Sequence, residues 1–137
     1  MSTDRNRKAL QGYLEGHDPS AVADDAVFTD MSSGHVWRGR AEIAGMLDAM
    51  YRKLFDARAE TRNLIIDDDH AVLEAAFIGR HIGEFAGVPA TNKDVDVPLV
   101  VIYDFRDGQI VAARIFWTVP VFLAQVGAMP GPAAPTA

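Results

Sequence analysis

Val97-Pro98-Leu99-Val100-Val101-Ile102-Tyr103-Asp104-Phe105-Arg106, then Asp107-Gly108, then Gln109-Ile110-Val111-Ala112-Ala113-Arg114-Ile115-Phe116-Trp117-Thr118: the reading of this stretch decides the fold. A two-residue Asp-Gly between apolar runs signals a β-hairpin, because that turn needs positive φ at both central residues. A plain two-residue loop sets the pairing. Phe105 then faces Ile110, Tyr103 faces Ala112, Val101 faces Arg114, Leu99 faces Phe116 and Val97 faces Thr118. Strand side chains alternate, so all of these point to one side. That side is apolar except for Tyr103, Arg114 and Thr118. The other side carries Asp96, Asp104, Arg106 and Gln109 together with Val100, Ile102, Ile115 and Trp117. An exposed apolar strip of that kind marks an interface, so a homodimer through the outer sheet face is expected.

Working outward, Ala71 to Phe85 reads as a long strand whose odd positions are apolar apart from His81, while Glu74, Arg80 and Glu84 hold even positions. His81 therefore falls on the buried face. Arg58 to Asp67 is a further strand, ended by Asp67-Asp68-Asp69-His70. That acidic turn lacks the Gly and distal Glu of a calcium loop and reads as a solvated turn. Gly87 to Lys93 is a loop in which Asn92 can take a left-handed conformation. Upstream, Arg40 to Phe55 repeats apolar residues at helical spacing (Ile43, Met46, Leu47, Met50, Tyr51, Leu54, Phe55), so one helix packs a face on the core. Within that stripe only Tyr51 is a candidate for chemistry.

Val27 to Met31 reads as a short strand, and Ser32-Ser33-Gly34 as a turn leading to Val36-Trp37. A first helix starts at Thr3 or Asp4, carries Leu10, Tyr13 and Leu14 on one stripe and stops at Gly16. Ser20 to Asp25 reads as a single helical turn. Val121 to Val126 is a last helical turn ended by Gly127, and the Pro/Ala-rich residues 128–137 form an unstructured tail. The expected organisation is one domain over 1–127 and a disordered tail over 128–137. Its class is α+β: a curved antiparallel sheet, mainly a four-stranded meander, packed on N-terminal helices around a cone-like interior.

Composition limits the function. The 137 residues carry 13 basic and 19 acidic side chains and a net charge of −6, with no basic cluster. A phosphate backbone therefore finds no electrostatic footprint, and nucleic acid is not an expected partner. With no cysteine, disulfides, thiolate metal sites and a Cys nucleophile are excluded. The N-terminal run is polar and no apolar run reaches membrane-spanning length, so the expectation is a cytoplasmic protein without a membrane partner.

From Leu54 to Gly127 the chain resembles the SnoaL-like polyketide cyclases of the nuclear transport factor 2-like (NTF2-like) superfamily. The matching pieces are Phe55-Asp56-Ala57-Arg58, Asn63-Leu64-Ile65-Ile66-Asp67, the run from His81 to Thr91, Phe105-Arg106-Asp107-Gly108-Gln109-Ile110 and the closing Phe122-Leu123-Ala124-Gln125-Val126-Gly127. The His-x-Gly-x-Phe-x-Gly…Thr element is the most specific of them. The resemblance implies a cone-shaped NTF2-like fold with a deep apolar pocket for a small molecule. It also implies cyclisation, isomerisation or hydration of a polyketide-like or polycyclic ketone without metal or organic cofactor. Three positions depart from the pattern. The pocket Asp expected after the hairpin is matched by Thr118, a Glu early in that strand by Ala112, and a Gly after Thr91 by Asn92. A threonine hydroxyl has no useful basicity near neutral pH.

Other groups must then carry any chemistry. His81 can polarise a carbonyl or move a proton; its alternative is a core imidazole bonded to backbone or capping the following loop. Arg114 can hold a carboxylate or an enolate oxygen, or pair with a core-facing acid such as Asp30. Asp30 can be the base that Thr118 cannot be, since acids at the end of this strand often sit at the pocket mouth in the superfamily; the alternative is a turn-capping Asp. These three are the catalytic candidates. Tyr103 can orient a ligand oxygen, and Phe116, Thr118, Trp37, His35 and Tyr51 complete the substrate-binding candidates, with His35 and Trp37 forming a lid or packing on the helix. Trp117 reads as interface or core. The function expected is a cofactor-independent acid/base enzyme; the alternative is a binding or accessory protein that kept the cone and lost the chemistry.

Overall fold

In a computed structural model of the chain, which describes residues 2–16 and 19–128, Asp107 and Gly108 form the hairpin turn with φ of 52° and 75°. The strands it joins, β5 (Asp94–Arg106) and β6 (Gln109–Trp117), do not keep the plain register. Phe105 pairs with Ile110 as expected, but Asp104 then pairs with Ala112, Tyr103 with Ala113, Ile102 with Arg114, Val101 with Ile115 and Leu99 with Trp117. Val111 is the extra residue of a β-bulge. One inserted residue reverses the face of everything beyond it. The expected facing of Tyr103 with Ala112, Val101 with Arg114, Leu99 with Phe116 and Val97 with Thr118 is therefore corrected. Ala113, Ile115 and Trp117 look inward, while Arg114 and Phe116 look outward.

The physical reason lies in Arg114. In the plain register its guanidinium would enter the apolar interior, where an unpaired charge costs several kcal/mol or more. In the bulged register it reaches Asp104 on the outer face, with both nitrogens at 2.9 Å from the two carboxylate oxygens.

The chain order is α1 (Ser2–Gly16), a 3₁₀ turn (Pro19–Ala21), β1 (Val22–Asp30), β2 (Val36–Arg38), α2 (Gly39–Asp48), a π-helical turn (Ala49–Lys53), β3 (Phe55–Ile66), β4 (His70–His81), β5, β6 and α3 (Val119–Gln125). The strands form one curved six-stranded sheet in the order β2-β1-β6-β5-β4-β3. The expected meander is β3 to β6. To it are added the β1–β2 hairpin and one parallel junction, β1 beside β6, with Phe28 opposite Ala113 and Asp30 opposite Ile115. Residues 22–25, read as helix, belong to β1: Val22 and Ala23 are buried, and Val22 pairs with Ile110 of β6 before the register shifts ahead of Val27. The helix expected to run to Phe55 ends earlier. It widens into the π-turn after Asp48, and Phe55 opens β3, fully buried.

The helices cover the concave face. Leu10 and Tyr13 of α1, Ile43 of α2 and Phe122 of α3 close over Leu73, Phe77, Val97, Val101 and Tyr103 of the sheet. The acidic turn does more than stay solvated, because it docks α1. Asn6, 2% exposed, donates to the Asp67 and Asp68 carbonyls, and Thr3 donates to the Asp68 carboxylate. The Asp67 carboxylate accepts from the Asp69 and His70 amides, which hold it below its ordinary pKa. The expected tail falls outside the described residues apart from Ala128.

Candidate active site

The inner sheet face, α1, α2 and the π-turn enclose a cavity of about 560 Å³. Its wall is mainly apolar, built from Phe28, Met46, Met50, Phe77, Leu99 and Trp117 among others. Its polar lining includes three phenols, Tyr13, Tyr51 and Tyr103, the carboxylate of Asp30 on the β1–β2 hairpin, and the charged residues Glu15, Arg52, Asp56 and Arg58. The phenols and Asp30 arrive on different elements. Tyr13 ends the α1 stripe, Tyr51 sits on the π-turn, Tyr103 is an inward position of β5, and Asp30 follows buried Phe28 by two residues on β1, hence on the same face.

The phenols form a group. Tyr13 meets Tyr103 edge to face at 5.9 Å between ring centroids, and Phe28 at 6.2 Å. Burial pushes the Tyr13 and Tyr103 phenols up, and neighbouring phenols add to this, Tyr103 and Tyr51 acting on Tyr13 and Tyr51 on Tyr103. Burial also pushes Tyr51 up to about 12. With their pKa values raised, all three are protonated at neutral pH, a state that can donate a hydrogen bond but cannot accept a proton as a base. The Tyr103 hydroxyl makes no hydrogen bond to a described residue, which leaves its proton for a ligand oxygen.

Asp30 combines the two roles weighed from the sequence. Its Oδ1 accepts from the Ser32 amide (2.9 Å) and the Ser32 hydroxyl (2.5 Å), so it caps the turn. Its side chain also lines the cavity. Trp37 lines the same space, and His35 packs edge-on against it at 4.7 Å.

The remaining candidates lie elsewhere. His81 is completely enclosed between Phe55 (5.3 Å) and Phe122 (5.1 Å) and does not line the cavity. Its Nδ1 shares a hydrogen bond with the Thr91 hydroxyl at 3.0 Å, and its backbone pairs with Asn92 and Lys93, so it ties down the loop that follows β4. Asn92 in that loop has φ 57°. Burial lowers the His81 pKa, with the Gly83 backbone opposing, which favours the neutral ring. Arg114 and Phe116 face outward because of the bulge. Thr118, just past β6, donates to the Pro98 carbonyl at 2.8 Å and lines a shallow outer groove with Phe116, Met31 and Val100. Arg114 therefore does not share a face with Tyr103 and pairs with Asp104, not Asp30.

Sequence reading missed Tyr13 and Trp117 as cavity residues. Tyr13 was absorbed into a core stripe, although a hydroxyl among leucines is itself a signal. Trp117 was turned to the wrong side by the unseen bulge. Among the described residues no cluster of His, Asp or Glu is arranged to hold a metal ion, and no helix is long and apolar enough to cross a membrane.

A curved sheet wrapped around helices and enclosing a cavity at its concave face defines the cone-shaped α+β fold of NTF2-like and ketosteroid isomerase-like proteins. Residues 15–126 match the family described as SnoaL-like polyketide cyclase, and the chain belongs to that family. Three solved structures illustrate the likeness. A candidate SnoaL-like polyketide cyclase from Jannaschia sp. CCS1 superposes with a TM-score of 0.82 at 19% identity, covering 93% of this chain and 95% of that one. AclR from Streptomyces galilaeus, described as a candidate hydroxylase, gives 0.77 at 19% identity over 96% of this chain and 86% of its own. A protein of ketosteroid isomerase-like fold from Catenulispora acidiphila, solved with trimethylamine, gives 0.70 at 21% identity over 93% and 95%. At these identities the likeness carries the fold alone. No curated protein matches the chain in sequence.

Proposed function

We propose that the chain is a cofactor-independent enzyme that moves a proton next to the carbonyl of an apolar, polyketide-like ketone, as in cyclisation or isomerisation. The observation that supports this reading is the single cavity lined by both Asp30 and the protonated Tyr103. The free oxygen of Asp30 takes the α-proton. The electron pair moves onto the carbonyl oxygen, and the Tyr103 hydroxyl donates a hydrogen bond to the enolate that forms. The proton then returns to another carbon, or the enolate carbon attacks a second carbonyl of the same molecule and the new alkoxide is protonated. A buried donor aimed at a developing oxyanion stabilises the transition state more than the ketone. Positioned proton transfer contributes roughly 10²–10⁴-fold. The apolar wall contributes binding through area removed from water.

The test is α-proton exchange of 2-tetralone, an enolisable bicyclic ketone, in deuterated water followed by proton NMR. Exchange above the buffer rate that Asp30→Asn abolishes is the expected result. Binding by calorimetry with no exchange replaces this reading by that of a non-catalytic binding protein.

A further inference from the structure

We infer that Ser32 is the positioning residue for Asp30; this rests on the proposed role of Asp30 as base. A carboxylate has two oxygens and rotates about two bonds. Here both Ser32 donors fall on one of them: the amide at 2.9 Å and the hydroxyl at 2.5 Å on Oδ1. A turn cap needs only the amide. The hydroxyl adds a second donor to the same oxygen and so strengthens the hold on Oδ1 at the turn. Oδ2 makes no hydrogen bond or ion pair with a described residue, and it is the oxygen left to take a proton.

The frame beneath is equally fixed. The Asp30 amide donates to the His35 carbonyl at 2.9 Å, the Gly34 amide donates to the Asp30 carbonyl at 2.7 Å, and the Met31 amide donates to the Ile115 carbonyl at 2.8 Å. Gly34 has φ 80°, a conformation that favours glycine. The hairpin thus holds the Asp30 backbone against β6 while Ser32 holds its side chain. Reaction rates are steep in such placement, since a displacement of about 1 Å can cost 10²-fold.

The experiment compares wild type, Ser32→Ala, Ser32→Thr and Asp30→Asn in 2-tetralone exchange, with thermal melting alongside. Ser32→Ala keeps the capping amide, so the turn forms. The expected result is a fall in kcat of about tenfold with KM within about twofold of wild type, and recovery of kcat to within about twofold in Ser32→Thr. Unchanged kcat in Ser32→Ala overturns the inference while leaving the base reading in place. So does a loss that appears in KM, or one that Ser32→Thr does not restore. A wild type that exchanges no faster than buffer overturns the base reading and this one with it.

Discussion

Arg114 and Asp104 meet on the outer face of the sheet as a two-pronged pair, both nitrogen–oxygen distances 2.9 Å. The Arg114 guanidinium, by hydrogen bond and then by charge, holds the Asp104 carboxyl below the usual carboxylate range. Both side chains are about one-third exposed, so solvent screening keeps the pair to about 1 kcal/mol. Asp104 is depressed in the folded state. Its contribution is therefore present above the unfolded carboxylate pKa of about 3.9 and is lost as pH falls through the folded value. Asp104→Asn should lower stability by about 1 kcal/mol at neutral pH and flatten the acid limb of the stability curve. Urea titrations between pH 7 and 3 measure both.

His81 gives the opposite kind of titration. Its folded pKa is lowered, first by burial, so the unfolded chain binds the proton more readily. Stability is fully present above the unfolded value of about 6.5 and falls as pH drops from there toward the folded value. His81→Phe should remove that slope. It should also speed amide exchange at Asn92 and Lys93, whose amides lie in the loop that His81 anchors. Turnover should not change, because His81 does not line the cavity. Hydrogen-exchange mass spectrometry and the tetralone assay separate the two effects.

Tyr103→Phe should lower kcat for α-proton exchange by about 10²-fold with little change in KM, the signature of a donor used mainly in the transition state. The side chain is 3% exposed and the substitution keeps its ring, so the melting temperature should stay within a few degrees. A change confined to KM would make Tyr103 a binding group only.

The outer face carries the homodimer expectation in altered form. Ile115 and Trp117 are withdrawn from the strip by the bulge, and Phe116, 42% exposed, takes their place beside Val100, Ile102 and Met31, itself 47% exposed. Covering these by a second copy would remove a contiguous apolar patch from water. Sedimentation velocity at micromolar concentration should give a dimer for wild type and a monomer for Phe116→Asp. A monomeric wild type would dismiss the sheet-face dimer.

Most of the fold was legible because periodicity reports burial directly. The α2 stripe, the alternation of β4 and the Asp107-Gly108 turn each placed an element without any tertiary information. The bulge at Val111 was not legible from alternation, since an extra residue leaves no gap in an apolar run. Its one trace was the pair of opposite charges, Asp104 and Arg114, which the plain register sends to opposite faces. That single residue explains why Arg114 and Phe116 were placed inside and Trp117 outside. Asp30, Tyr51 and Trp37, which the sequence leaves between a pocket and a structural role, all line the cavity, and they lie before the bulge, where no inserted residue changes the facing. Tyr13 illustrates a different limit: a stripe shows which face is buried, not whether that face meets core or open space.

The chain has two tryptophans, Trp37 and Trp117, and both line the cavity, one on β2 and the other on β6. Every indole in the molecule therefore reports on the same internal volume. A compound entering that space will alter intrinsic fluorescence without labelling, whether or not it reacts. Trp37→Phe and Trp117→Phe then resolve which wall it touches. The protein is its own optical probe, and small molecules can be screened for entry into the cavity on the native chain.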